Sequence, residues 1–291
     1  MVERKSSLLD IARVLLDWNN PRPSGIRGLL RARVACYLRW NRHLLLDPWL
    51  RYRPAILALN ELNPRPSRIL DAGSGSYGLA YFLRRPVVGV DVRFSRDEMG
   101  RFPSPIQPVL ASAPELPFRN ASFDAVVSMD MLEHVPPSMR FAALRELFRV
   151  SREAIVIGFP YGEASAEYDR RALIEERGRG IAPPWREEHV RNGQPGQEVH
   201  DQILDLARNS ASPWDIGWYG HEGLIGLQLR WRIQLMLGVA SRLRGIILAP
   251  LYFVHAHGRR ARGYRRVYVI RRGARRSNPR GGIGRFFVTQ R

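Results

Sequence analysis

Residues 68–80 read Arg-Ile-Leu-Asp-Ala-Gly-Ser-Gly-Ser-Tyr-Gly-Leu-Ala, and the reading of this stretch decides the fold. Apolar residues run into Asp71, glycines fall at 73, 75 and 78, and an apolar helical pattern of Leu79, Tyr81, Phe82 and Leu83 follows. That order predicts a strand, a tight turn and a helix. Glycine lets the backbone turn sharply and brings N–H groups close to a ligand, and the helix N-terminus behind supplies further free donors. A ligand with an adenosine part suits such a turn.

Gly73, Gly75 and Gly78 satisfy G-x-G-x-x-G, and Asp91 ends the next apolar run, 86–90, as in a dinucleotide site. Asp71 points to another guest, because its carboxylate is expected near the place where a dinucleotide carries its pyrophosphate. Two such charges repel by several kcal/mol where the effective dielectric is roughly 20. A ligand carrying an ammonium and a sulfonium meets no such repulsion.

Working outward, three segments occur in order: Ile69-Leu-Asp-Ala-Gly-Ser-Gly75, Val87-Val-Gly-Val-Asp91, and Leu116-Pro-Phe-Arg-Asn-Ala-Ser-Phe-Asp-Ala-Val-Val-Ser-Met-Asp-Met-Leu-Glu-His-Val135. Together they resemble the class I S-adenosylmethionine-dependent methyltransferases, in the branch that acts mainly on small molecules. The resemblance covers about residues 66–160, with a looser echo at 266–272. It departs at Tyr77, where many members have a third glycine, and at Ser112, where many have an acidic residue. The resemblance implies a doubly wound α/β fold with a mostly parallel seven-stranded sheet, and S-adenosyl-L-methionine as the cofactor. It also implies a cofactor loop of Gly73, Ser74, Gly75 and Tyr77, with Asp71 helping to place the methionine end. Asp91 would accept the ribose hydroxyls with Val92 beside it, Ser112 and Ala113 would border the adenine, and Asp130, Met131 and Leu132 would line the cofactor near its methyl.

Around this core, strands are expected near 68–71, 87–91, 107–111, 124–129 and 153–159. Helices are expected from 78 and over 138–149, the latter carrying a stripe of Phe141, Leu144, Leu147 and Phe148 with Arg140 elsewhere. Residues 1–66 read as a helical extension and 67–160 as the cofactor core. Residues 161–218 read as a substrate-side insertion with an edge strand at 214–218. Residues 219–264 read as a helical insertion before the last strand, 265–272, and 273–291 as a basic Gly/Arg tail.

The chain of 291 residues has one cysteine, Cys36, which excludes an intrachain disulfide. No export signal is read at the N-terminus, so a cytoplasmic location is expected. The net charge is +19, and from residue 230 onward there is no acidic residue at all. Such ends suit phosphate on a nucleic acid or a lipid, although a coding bias toward arginine explains them as well. The segment 223–257 reads either as a peripheral membrane contact edged by arginines or as ordinary packed helices.

A hydroxyl or amine acceptor must lose a proton, and the candidate bases are His134, His189 and His221. His189 ranks first, with Tyr161 beside it. His134 is also expected to pack or cap at the start of the next helix. Pro183-Pro-Trp185 looks like a signature of amine methyltransferases, but it stands far from the end of the fourth strand where that signature belongs. No histidine or carboxylate cluster has metal spacing along the sequence, and metal-free chemistry is expected. The expected reaction is methyl transfer to a hydroxyl, less favourably a carboxyl or amine, of a small-molecule, sugar or lipid-linked acceptor. The alternatives are an RNA methyltransferase, a non-catalytic S-adenosylmethionine-binding protein and a dehydrogenase.

Overall fold

The computed structural model describes residues 46–210, 214–237 and 263–273. The expected helices of residues 1–45 and the tail 274–291 lie outside the described residues, as does 238–262 of the expected insertion.

Helix α1 (Leu46–Asn60) precedes strand β1 (Ile69–Ala72), helix α2 (Gly78–Leu83) and strand β2 (Val87–Asp91). Then come α3 (Arg96–Arg101), β3 (Ile106–Leu110), β4 (Phe123–Met129), α4 (Pro137–Val150) and β5 (Ser151–Pro160). Helices α5 (Gly162–Gly178), α6 (Pro184–Asn192) and α7 (Gln197–Arg208) lead to β6 (Trp214–His221), α8 (Leu224–Leu237) and β7 (Arg265–Arg272).

The seven strands form one sheet in the order β3-β2-β1-β4-β5-β7-β6. The first five strands pair in parallel, and β7 runs antiparallel between β5 and β6. Strand order reverses direction between β1 and β4, which in an open α/β sheet opens a crevice beyond the carboxyl ends of those strands.

Burial explains the strands. Every residue of β1 and β4 is buried, because helices cover both faces of the central sheet. On one face Ile69 meets Trp49, Tyr52, Leu59 and Phe82 of α1 and α2. On the other, Leu70 and Ala72 meet Leu144, Leu147 and Ile203 of α4 and α7. Burying each such large apolar side chain contributes about 1.5–3 kcal/mol. Strand β3 tolerates Pro108 because it is an edge strand. Asp124 sets the β1–β4 register: its Oδ2 accepts from Ser67 N, Ser67 Oγ and Arg68 N at 2.9, 2.7 and 3.0 Å.

One local expectation needs correction. Phe141 of α4 is exposed while Arg140 is buried, because Arg140 serves as a polar strut rather than a solvated charge. Pro48 sits in the first turn of α1, where a missing N–H costs nothing.

Candidate functional site

The turn after β1 is held by its glycines and by Asp71. Gly73, Gly75 and Gly78 have φ of +78°, +59° and +48°, a region only glycine adopts freely. A Cβ on Gly73 would lie 2.5 Å from Met131 Cγ, and one on Gly78 would lie 2.6 Å from Asp71 Oδ2. Above Gly75 nothing stands within 4 Å, so the backbone there is open to a ligand. Gly73 N and Ser74 N donate to Val90 O, and the Ser74 hydroxyl donates to Gly75 O.

Asp71 is committed to the turn through one of its two oxygens. It is fully buried beneath the turn, where Oδ2 accepts from Leu79 N at 2.7 Å and from the Tyr52 hydroxyl at 3.0 Å. Burial pushes its carboxyl up to about 7, against the pull of those two donors. The expected clash with a pyrophosphate is weakened accordingly, since this carboxyl braces the turn from below.

Asp91 ends β2. Its Oδ2 accepts from Gly75 N at 2.8 Å and its Oδ1 from Arg93 N at 3.1 Å. A carboxylate offers about four lone-pair positions, so acceptor capacity remains for two vicinal hydroxyls. Beside it Val92 is 71% exposed and Leu110, which pairs with Asp91 across the strands, is 73% exposed. Ser112 is exposed and Ala113 buried at the end of β3. Tyr77 turns toward Tyr81 and Phe102 in an aromatic cluster. A glycine loop open above Gly75, a carboxylate at the next strand end and exposed aliphatic flanks fit the amino acid, ribose and adenine parts of S-adenosylmethionine.

At the end of β4, Asp130 has φ +53°, a strained value for a non-glycine residue that redirects the chain into the crevice. Its carboxylate is bound on both oxygens by Arg265 of β7, at 2.6 Å each, and lies 3.2 Å from Arg51 of α1. Burial alone would raise this carboxyl, but the two guanidinium groups outweigh it and hold it below the usual range. Arg265 also pairs with Glu222. Asp130 therefore acts through its backbone position and an ion-pair network, while Met131 packs on Gly73 and Leu132 is buried in the core.

The expected bases are sorted by the fold. His221 is buried against Leu50 O at 3.1 Å, and burial with Arg265 nearby pushes it down to about 3. Tyr161 donates to Gln197 Oε1 at 3.0 Å and lies under Arg266. His134 and His189 come together, with Nε2 to Nε2 at 3.2 Å. His134 Nδ1 meets Glu188 Oε2 at 2.7 Å, and His189 Nδ1 meets Asp169 Oδ2 at 3.0 Å. Burial, then the neighbouring His189, holds His134 below its usual value.

Two polar ties fix this pair. Arg140 Nε donates to Leu132 O and Val135 O, both at 3.1 Å, and its Nη2 donates to Asn192 O and Gly193 O. Asn192 Nδ2 donates to Glu133 O and His134 O. The turn after β4 is thereby locked to the end of α6. The fold brings together a group that spacing along the sequence did not show: Glu133, His134 and His189 have ligand atoms within 4.8 Å of one another. Their separation along the chain hid them. Pro183 and Pro184 simply start α6, with proline favoured in the first turn. Sequence reasoning missed Arg51, Tyr52, Glu133, Asp169 and Arg265; of these only Glu133 stood beside a residue already singled out.

Residues 70–155 match the family model described as a methyltransferase domain. No curated protein matches the sequence. Among solved structures, a Thermotoga maritima protein described as a SAM-dependent methyltransferase, possible histamine N-methyltransferase, is 16% identical, with 83% of this chain and 97% of that one covered and a TM-score of 0.48. The methyltransferase domain of a bacterial Hen1 protein is 14% identical over 77% of this chain and 98% of that one, with a TM-score of 0.49. A Burkholderia thailandensis 1,6-didemethyltoxoflavin-N1-methyltransferase, with bound 1,6-didemethyltoxoflavin and S-adenosylhomocysteine, is 24% identical over 48% and 65%, with a TM-score of 0.34.

Proposed function

We propose that this chain, an S-adenosylmethionine-dependent methyltransferase with a class I fold, moves its methyl group to a hydroxyl oxygen of a small-molecule, sugar or lipid-linked acceptor. The observation that carries the reading is the meeting of two imidazoles, each anchored by a carboxylate, immediately after the carboxyl end of β4. An acceptor hydroxyl needs a place where its oxygen is held and its proton is lost, and aligned imidazole nitrogens provide one.

Bound S-adenosylmethionine supplies a methyl carbon already activated by a sulfonium. The protein's part is alignment, which accounts for roughly 7–11 kcal/mol of a barrier when two reactants are held in attack geometry. Gly75 offers open backbone to the amino-acid end, and Asp91 accepts the ribose hydroxyls. Val92, Leu110, Ser112 and Ala113 flank the adenine. Met131 and Leu132 back the methyl end, and the acceptor meets the imidazole of His134, the less buried of the pair. No described helix is long and apolar enough to cross a membrane. The lipid-linked version concerns 223–257, most of which lies outside the described residues.

The test is to incubate the protein with methyl-labelled donor and a cell extract fractionated into small-molecule, lipid, RNA and protein pools. Label in a small-molecule or lipid pool that survives alkali and that mass spectrometry places on oxygen supports the hydroxyl reading. Label confined to RNA or protein overturns it.

A further inference from the structure

The group on which that acceptor reading rests contains a third member that proton transfer does not explain. Glu133 is fully buried, and apart from an electrostatic contact with its own backbone N–H neither of its oxygens meets a hydrogen-bond partner. A buried carboxylate without a partner costs several kcal/mol, roughly, and a native fold keeps such a group for a reason. Its Oε1 lies 3.9 Å from His189 Nε2, which lies 3.2 Å from His134 Nε2.

The far sides of both rings are already committed. Glu188 takes His134 Nδ1 and Asp169 takes His189 Nδ1. Asp169 is itself fixed by Arg186, Tyr264 and Gln194. Carboxylates on the outer nitrogens select the tautomer that leaves each Nε2 with a free lone pair, which is how metal-binding imidazoles are oriented. Two such lone pairs face each other here, with an unpartnered carboxylate behind them. A proton shared between the rings would explain their approach but would leave Glu133 unexplained. A cation explains all three groups, and the ties from Arg140 and Asn192 hold them in place without it.

We propose that Nε2 of His134, Nε2 of His189 and a carboxylate oxygen of Glu133 form a binding site for one divalent transition-metal ion. Two imidazoles and one carboxylate suit zinc, manganese, iron(II) or cobalt, whereas calcium and magnesium favour all-oxygen shells. Three protein ligands leave positions open, as in catalytic rather than structural centres. The existence of the site is independent of the acceptor; its use rests on the hydroxyl reading. With the ion bound, both Nε2 atoms are ligands and no longer accept the proton; an acceptor hydroxyl held on the ion becomes more acidic and loses its proton to water instead. Its oxygen then bonds to the methyl carbon as the carbon–sulfur bond breaks, and the sulfonium becomes a neutral thioether.

The experiment titrates the full chain, stripped with a chelator and free of methyl donor, with Co²⁺, followed by visible absorption and by competition with Zn²⁺ and Mn²⁺. The expected result is one equivalent of bound cobalt with d–d absorption that zinc removes. Glu133→Gln and His134→Gln should abolish the absorption. Glu188→Gln, at a partly exposed position, should weaken cobalt binding about 10–100-fold. Calorimetric binding of S-adenosylmethionine to each variant reports that the fold is intact. Absence of cobalt absorption in the parent protein, or equal binding in Glu133→Gln and His134→Gln, overturns the proposal. Cobalt binding without methyl transfer to any acceptor pool overturns the function reading instead and leaves the site standing.

Discussion

Asp71 and Asp91 stand at the ends of neighbouring strands, yet their surroundings give them opposite tasks. Asp71 is sealed under the glycine turn with its carboxyl pushed up to about 7, so the folded protein binds more protons there than the unfolded chain does. Its contribution to stability is therefore full below about pH 4 and is lost as pH rises toward about 7. Asp71→Asn should flatten this loss: urea unfolding at about pH 5 and pH 8 should show a smaller drop in the variant than in the parent protein. Equal drops would contradict the assignment. Asp91 is half-exposed and holds Gly75 N, and the ribose is the role proposed for it. Asp91→Ala should weaken S-adenosylmethionine binding by about 1–3 kcal/mol in calorimetry, because ribose hydroxyls are left without their acceptor. Gly73→Ala drives a Cβ into Met131 at a φ of +78°. It should lower thermal stability by about 1–3 kcal/mol and reduce donor affinity with it; an unchanged melting temperature would show that the turn relaxes freely.

At the scale of elements, α1 and β7 reach into the centre from opposite ends of the chain. Arg51 from α1 and Arg265 from β7 converge on Asp130 at the end of β4, and Tyr52 from α1 meets Asp71 at the end of β1. Removing one partner of such a buried group leaves an uncompensated charge, so Arg265→Met should destabilise the fold by about 3–5 kcal/mol in chemical denaturation. A loss below 1 kcal/mol, roughly, would mean that Arg51 and water compensate for it. The elements themselves were legible wherever a local pattern sufficed. Strands near 69, 87, 124 and 154 announced themselves as apolar runs that end in Asp or in a turn. Helix α7 went unread although Val199, Ile203 and Ala207 recur every four residues, because the intervening polar residues blended with the loop before it. The stripe of α4 holds at Leu144, Leu147 and Phe148 and fails only at Phe141, because Arg140 is buried instead to bond carbonyls of the turn after β4 and of α6. Nothing local in the sequence carries that information, and the same holds for Glu133, whose companions His189 and Asp169 lie on helices beyond β5.

For the whole molecule, the sheet order places the residues proposed for the cofactor at the carboxyl ends of neighbouring strands, and the histidine cluster follows the end of β4. The glycine turn and the two strand-end acids were readable from spacing alone. The acceptor side was not, since it is assembled from the turn after β4, α5 and α6, which no short motif links. The unbroken basicity from residue 230 onward falls mostly outside the described residues, so the donor site is the firmer basis for a decisive test. That test is calorimetric titration of the parent protein and Asp91→Ala with S-adenosylmethionine and, separately, with NAD. The match to the methyltransferase domain predicts one equivalent of S-adenosylmethionine bound by the parent protein, weakened at least fivefold, roughly, by the substitution, and no heat from NAD. NAD binding in place of S-adenosylmethionine, or affinity untouched by the loss of Asp91, would contradict the cofactor site.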